Sequence, residues 1–113
     1  LENADLRGIS LAGANLDGAN LSGANLTGLQ LAPGRTKAAV LDGAALRNAK
    51  LVGARLDGAS LKGADFTYAD LKDASFKGAD LTEAVLTGAR LTRSILEASS
   101  LAGATGLPKR EVA

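Results

Sequence analysis

The chain contains no Cys, His, Met or Trp, and its aromatic residues are one Tyr and two Phe. Without Cys it has no disulfide framework, thiolate nucleophile, iron–sulfur cluster or Cys-bound zinc. The same absence suits a reducing cytosol and an oxidising lumen alike. Without His it lacks the commonest general base and the commonest metal ligand. An excess of one charge sign is missing too: 13 Lys and Arg face 12 Asp and Glu, for a net charge of +1. That balance builds no field to draw in nucleic acid. No run of about 18 uncharged apolar residues exists, so no transmembrane helix is expected. The opening Leu1-Glu2-Asn3-Ala4-Asp5 has neither a basic segment nor an apolar one, so no signal peptide is visible there. What remains is 113 residues, 46% hydrophobic and 22% charged, the composition of one folded domain.

The dominant feature is a period of five. Counting in fives from Leu1 to Leu101, 18 of 21 positions are Leu, two are Phe (Phe66 and Phe76) and one is Thr36. Two residues before this centre, 16 of 21 positions are Ala, and two residues after it lie 12 of the chain's 14 Gly. Five residues on an α-helix advance 500°, so the leucines would form no stripe. On a straight strand an odd spacing would send successive leucines to opposite faces. Both conflicts vanish if the chain turns a corner once per five residues. Every Leu then points to one axis, Ala fills the narrow slot beside it, and Gly serves the corner. No single unit can bury its own apolar face, so the units must coil and stack.

These residues resemble the pentapeptide repeat family, whose unit is a small residue, Asp or Asn, Leu or Phe, and two variable residues. Ala14-Asn15-Leu16-Asp17-Gly18 and Ala24-Asn25-Leu26-Thr27-Gly28 are clean copies, and Ala64-Asp65-Phe66-Thr67-Tyr68 and Ala79-Asp80-Leu81-Thr82-Glu83 are close variants. The resemblance implies an all-β, right-handed quadrilateral parallel β-helix of about five coils, each of four pentapeptides. Residues 1–105 are assigned to this solenoid, with an irregular stretch at 29–38, and residues 106–113 to a short C-terminal cap or tail. It also implies cyanobacteria-like relatives found in cytoplasm, periplasm or thylakoid lumen, with the cytoplasm favoured here.

With four sides, residues 20 apart stack. One outward column then reads Asp17, Lys37, Asp57, Lys77 and Glu97, and another Lys50, Asp70 and Arg90. Alternating signs on neighbouring strands are mildly favourable. Residues 29–38 break the motif: Leu29 and Gly34 replace Ala, Thr36 replaces Leu, and Pro33-Gly34 is a turn signal. Yet Leu31 and Leu41 stay in phase. A distorted coil and a phase-preserving loop both fit. The distorted coil is favoured because Lys37 falls in its charge column.

Chemistry-bearing motifs are few. Gly-x4-Gly recurs because the period generates it, and within the repeats it is never followed by the Lys of a phosphate-binding loop. Asp65, Asp70, Asp73 and Asp80 share a coil with Lys62, Lys72 and Lys77, which nearly cancel them, so a calcium site is not expected. No catalytic, cofactor-binding or metal-binding residue is assigned, and the chain is read as a non-enzyme. Arg35, Lys37 and Tyr68 are the candidate partner contacts: two cations on the irregular stretch and an exposed aromatic. The expected function is a structural, protein-interaction scaffold without nucleic acid or membrane span, as a monomer or an end-to-end dimer. The resemblance offers two alternatives. One is a DNA-mimicking, gyrase-binding protection factor, from which the +1 charge and two Phe depart. The other is a repeat domain of a larger protein.

Overall fold

The computed structural model describes residues 1–91 and 100–106. The chain winds as a right-handed quadrilateral β-helix, with one pentapeptide per side. Successive coils are joined by parallel bridges between the residues that precede the centres. One side carries Ser10, Val40, Ser60, Asp80 and Ser100, and the next Asn15, Ala45, Asp65, Val85 and Thr105. The step of 20 between most rungs is the four-sided coil itself.

The unit around Leu41 shows why the period is five. The Leu41 N–H donates to Ser60 O (2.7 Å), the Gly43 N–H to Lys62 O (2.8 Å), and the Ser60 N–H returns to Ala39 O (2.9 Å). Between the coil bonds the chain turns: the Ala44 N–H donates to Leu41 O at 3.0 Å, and Gly43 has φ +68°. A positive φ at the third residue is the mark of a type II turn, and Gly meets it without strain. Among the described residues Asn3, Asn48, Tyr68, Asp73 and Glu83 stand there instead, with φ between 56° and 61°.

Leu and Ala line the inside. From Leu21 to Leu86 the centre residues and the Ala two before them are buried, outside the irregular stretch. Phe66 and Phe76, from opposite sides of one coil, meet edge to face with ring centroids 6.3 Å apart. Such pairs add roughly 0.5–1.5 kcal/mol beyond area burial. In the first coil Leu6, Leu11 and Leu16 are only partly buried and Leu1 is 61% exposed, since no coil covers that end of the described chain. There the bulkier Ile9 occupies an Ala slot.

Residues 29–38 are not a distorted coil. Leu29–Ala32 (β1) and Arg35–Lys37 (β2) form an antiparallel hairpin, closed by Pro33-Gly34. The bridges show that the hairpin is inserted: Ser10, Asn15, Asn20 and Asn25 pair with Val40, Ala45, Lys50 and Arg55, each 30 residues on, whereas Asp5–Asn25 and all later bridges span 20. Removing ten residues from the count restores the coil. Gly28, which would have been a corner, does not adopt a positive φ, and Gly34 does, at +76°. Pro before such a Gly is the type II pattern, which splays hairpin strands. A β-bulge between Gln30 and Ala32 accommodates it and leaves Leu31 outside the pairing.

The insertion also revises one charge column. Asp17 lies beside Arg47, not Lys37, with Oδ2 2.6 Å from the guanidinium. The Asp57–Lys77 step stands, through the Lys77 N–H donating to Asp57 Oδ1 at 3.1 Å. Lys50, Asp70 and Arg90 do form one column, with Arg90 3.8 Å from Asp70. Glu97 and, apart from Gly106, the expected cap or tail at 106–113 lie outside the described residues.

Candidate interaction surface

The outer surface is organised by a demand of the backbone. The N–H of the residue after each centre points away from the coil bonds and needs an acceptor. Asp or Asn two residues earlier supplies one: Asn20 Oδ1 accepts from the Ser22 N–H, Asn25 from Thr27, Asp65 from Thr67 and Asp80 from Thr82, all at 3.0–3.1 Å. This local cap explains the preference for Asp or Asn before the centre. Where that residue is Ala45, Ser60 or Ser75, an Asp one coil earlier replaces it. Asp17 accepts from the Arg47 N–H (2.9 Å), Asp42 from Lys62 (3.1 Å) and Asp57 from Lys77 (3.1 Å). Ser60 and Ser75 donate their hydroxyls to the same Asp42 and Asp57 carboxylates. Sequence reasoning missed this exchange. Its signal was present: an Asp after one centre coincides with a missing Asp or Asn on the next coil.

These bonds commit most of the solenoid's described carboxylates. Hydrogen bonds from Arg47 hold the Asp17 carboxyl below the usual Asp range, and those from Arg7 do the same for Asp5. For Asp80 the cause is the Thr82 hydroxyl and then the Thr82 N–H.

The hairpin is different. It leaves the solenoid at the corner column of Gly8 and Gly58, where Leu29 packs on Gly8 so closely that a Cβ there would lie 2.7 Å from Leu29 Cβ. Thr36 is itself exposed but lies over Gly28, its Cγ2 2.4 Å from where a Cβ would stand. Alternation along a strand sends Arg35 and Lys37 to the other face. Both are exposed, as are Gln30, Pro33 and Gly34, and Leu31 is 55% exposed. Among the described residues neither Arg35 nor Lys37 has a carboxylate within ion-pair distance; Lys50, Arg55, Lys62, Lys72 and Lys77 on the solenoid are likewise without one, and Arg7, Arg47 and Arg90 are paired. No backbone hydrogen bond joins residues 29–37 to any described coil.

Tyr68 does not belong to this surface. Its corner column is Asn48, Tyr68 and Gly88, two sides away from the hairpin's and therefore diagonally opposite. It is 65% exposed and its ring lies on Gly88, where a Cβ would come within 2.4 Å of two ring carbons. Glu83 covers Gly103 and Asn3 covers Gly23 in the same manner. Corner side chains thus lean along the axis toward the following coil. Arg35 and Lys37 are brought together; Tyr68 is kept apart from them.

Comparison with known proteins matches this geometry. The family model for pentapeptide repeats aligns with residues 1–31, 39–78 and 74–105, in 8 copies, passing over most of the hairpin. Among solved structures, HetL, a pentapeptide repeat protein involved in heterocyst differentiation regulation from the cyanobacterium Nostoc sp. strain PCC 7120, is 34% identical with a TM-score of 0.68. The match covers 80% of this chain and 34% of HetL. Rfr23 from the cyanobacterium Cyanothece 51142 is 34% identical with a TM-score of 0.48, over 85% of this chain and 58% of that one. A thylakoid-lumen pentapeptide repeat protein of Arabidopsis thaliana is 28% identical with a TM-score of 0.35, over 93% and 63%. The chain thus spans about a third of HetL and less than two thirds of the other two. No curated protein matches significantly. The five-residue period, the four-sided coil and the family match together place the chain in the pentapeptide repeat family.

Proposed function

We propose that this chain is a non-catalytic protein-interaction scaffold, in which the solenoid holds the hairpin 29–38 out as the element a protein partner reads. The observation that carries this reading is the insertion itself. Ten residues leave the coil and return in phase, expose two unpaired cations and an apolar Leu31, and contribute no residue to the fully buried core. Loops on a rigid scaffold are where recognition concentrates. Among the described residues no polar or charged side chain is buried, and the fully buried core is made of Leu, Ala and Phe alone. No helix among the described residues is long and apolar enough to cross a membrane.

The test is a chain lacking residues 29–38, which joins Gly28 to Ala39 and rebuilds a regular Leu-Thr-Gly-Ala-Val-Leu corner. It is expected to fold with an unchanged far-ultraviolet spectrum and to lose the protein cross-linked by the intact chain in its host. A partner retained by the shortened chain overturns the reading. So does inhibition of DNA gyrase supercoiling at sub-micromolar protein, which would move the chain to the DNA-mimic class.

A further inference from the structure

We propose that the β1–β2 hairpin binds an extended partner segment carrying carboxylates at alternate positions, taken up as an added strand along β2. This inference rests on the hairpin being the partner-reading element and names the chemistry of what it reads. Three observations converge. No backbone hydrogen bond ties 29–37 to a described coil, so apart from the Lys37 carbonyl, which faces Gly8 and Gly28, the outward N–H and C=O groups of β2 are open to strand addition. Arg35 and Lys37 stand two residues apart on one face of β2, because Thr36 is turned the other way onto Gly28. An incoming strand presents its own alternate side chains on that face, directly across from the two cations, at the separation where opposite charges attract. Finally, the neighbouring carboxylates are already engaged. Asp42 and Asp57, on the corners beside and below, accept from Ser60 and Lys62 and from Ser75 and Lys77. Neither carboxylate is within ion-pair distance of Arg35 or Lys37, so the two cations stay open to an external anion. The partner's intervening residue faces the Thr36 side and is best small or apolar.

The competing role for Lys and Arg on an open edge is protection against strand pairing. The two roles give opposite results with the same probe. A fluorescein-labelled peptide of alternating valine and glutamate is titrated into the intact, isotope-labelled chain and followed by amide NMR and anisotropy. Saturable binding is expected, with shifts confined to amides 29–38 and slowed exchange of the edge amides. Reversing both charges (R35E with K37E) is expected to weaken that peptide at least about tenfold and to admit a valine–lysine peptide instead. The chain without residues 29–38 should bind neither. Absence of saturable shifts overturns the proposal. Shifts that survive the deletion overturn it too, as does an equal response at the same amides to a thymidine oligonucleotide, which shows attraction to any polyanion. Failure of the peptide while the deletion still abolishes partner capture removes the acidic-strand chemistry alone. Capture indifferent to the deletion removes the underlying reading as well.

Discussion

One edge of the solenoid turns the same corner in two ways. At Leu56-Asp57-Gly58-Ala59 the chain needs one four-residue turn, with the Ala59 N–H donating to Leu56 O at 3.0 Å. One coil earlier, Leu26-Thr27-Gly28 and Ala39 hold the equivalent positions, and ten residues intervene. Both corners deliver the next Ala and Leu to the core in the same place: Ala39 and Leu41 are as fully buried as Ala59 and Leu61. The fold therefore depends on where the chain re-enters, and the route between exit and re-entry is free to serve another purpose. The regular corner is closed by a single internal turn bond, while the long one presents a hairpin edge to the outside.

Substitution should separate the two regions most strongly at their leucines. Leu61→Ala empties part of a fully buried slot and is expected to lower stability by about 2–5 kcal/mol. Leu31→Ala, on the bulge, should change it by less than about 0.5 kcal/mol. Urea denaturation reads both. Equal losses would show that the hairpin is part of the core, and the contrast would collapse.

A smaller contrast lies in the glycines. Gly34→Ala places a side chain at φ +76° in open space, so only the backbone cost applies, about 1–2 kcal/mol. Gly88→Ala meets that cost and also the Tyr68 ring. It should therefore be the more destabilising, and the difference should vanish in a Tyr68→Ala background. A difference that persists there would place the strain in the coil backbone, not in the ring.

Acid should act on the solenoid alone. Asp5, Asp17 and Asp80 are held below the ordinary Asp value by their hydrogen bonds, and the hairpin contains no carboxylate. A depressed folded-state pKa stabilises the chain at pH values above the unfolded value of about 4, and the contribution fades as pH falls through the folded value. The urea midpoint is expected to fall as pH drops below about 4, with a shallower slope in Asp17→Asn. These groups are exposed, so the effect is the smallest of the three. A midpoint independent of pH would mean that the caps hold equally well when protonated.

Much of this was legible in the sequence, for one physical reason: the core is made of a single residue type at a single spacing. Leu, Ala and Gly positions gave the inward slots and the corners directly. The hairpin was masked by the same regularity. Its ten residues are two whole periods, so Leu31 and Leu41 remain in phase although Leu31 faces solvent. That coincidence made Lys37 look like the partner of Asp17. Pro33-Gly34 and the lost Leu at Thr36 were the true signals, because Pro cannot take the positive φ of a corner and neither Gly34 nor Thr36 fills an inward slot. The caps from Asp17, Asp42 and Asp57 were illegible for a different reason: they join residues 20 or 30 apart, and their spacing is known only once the coil count across the insertion is fixed.

Near-identical coils raise a problem of alignment. A repeat chain can shift by whole units and still fill its core with leucine. The local caps from Asn15, Asn20 and Asn25 are blind to such slippage, since each is satisfied within its own pentapeptide. Asp17 is not. Its bonds to Arg47 reach over the hairpin, and winding residues 29–38 into the stack would set it against Lys37, which lacks the guanidinium fork. Asp17 thus encodes which coil follows the first. A solenoid whose leucines say only that units stack needs a few such addresses to say in what order.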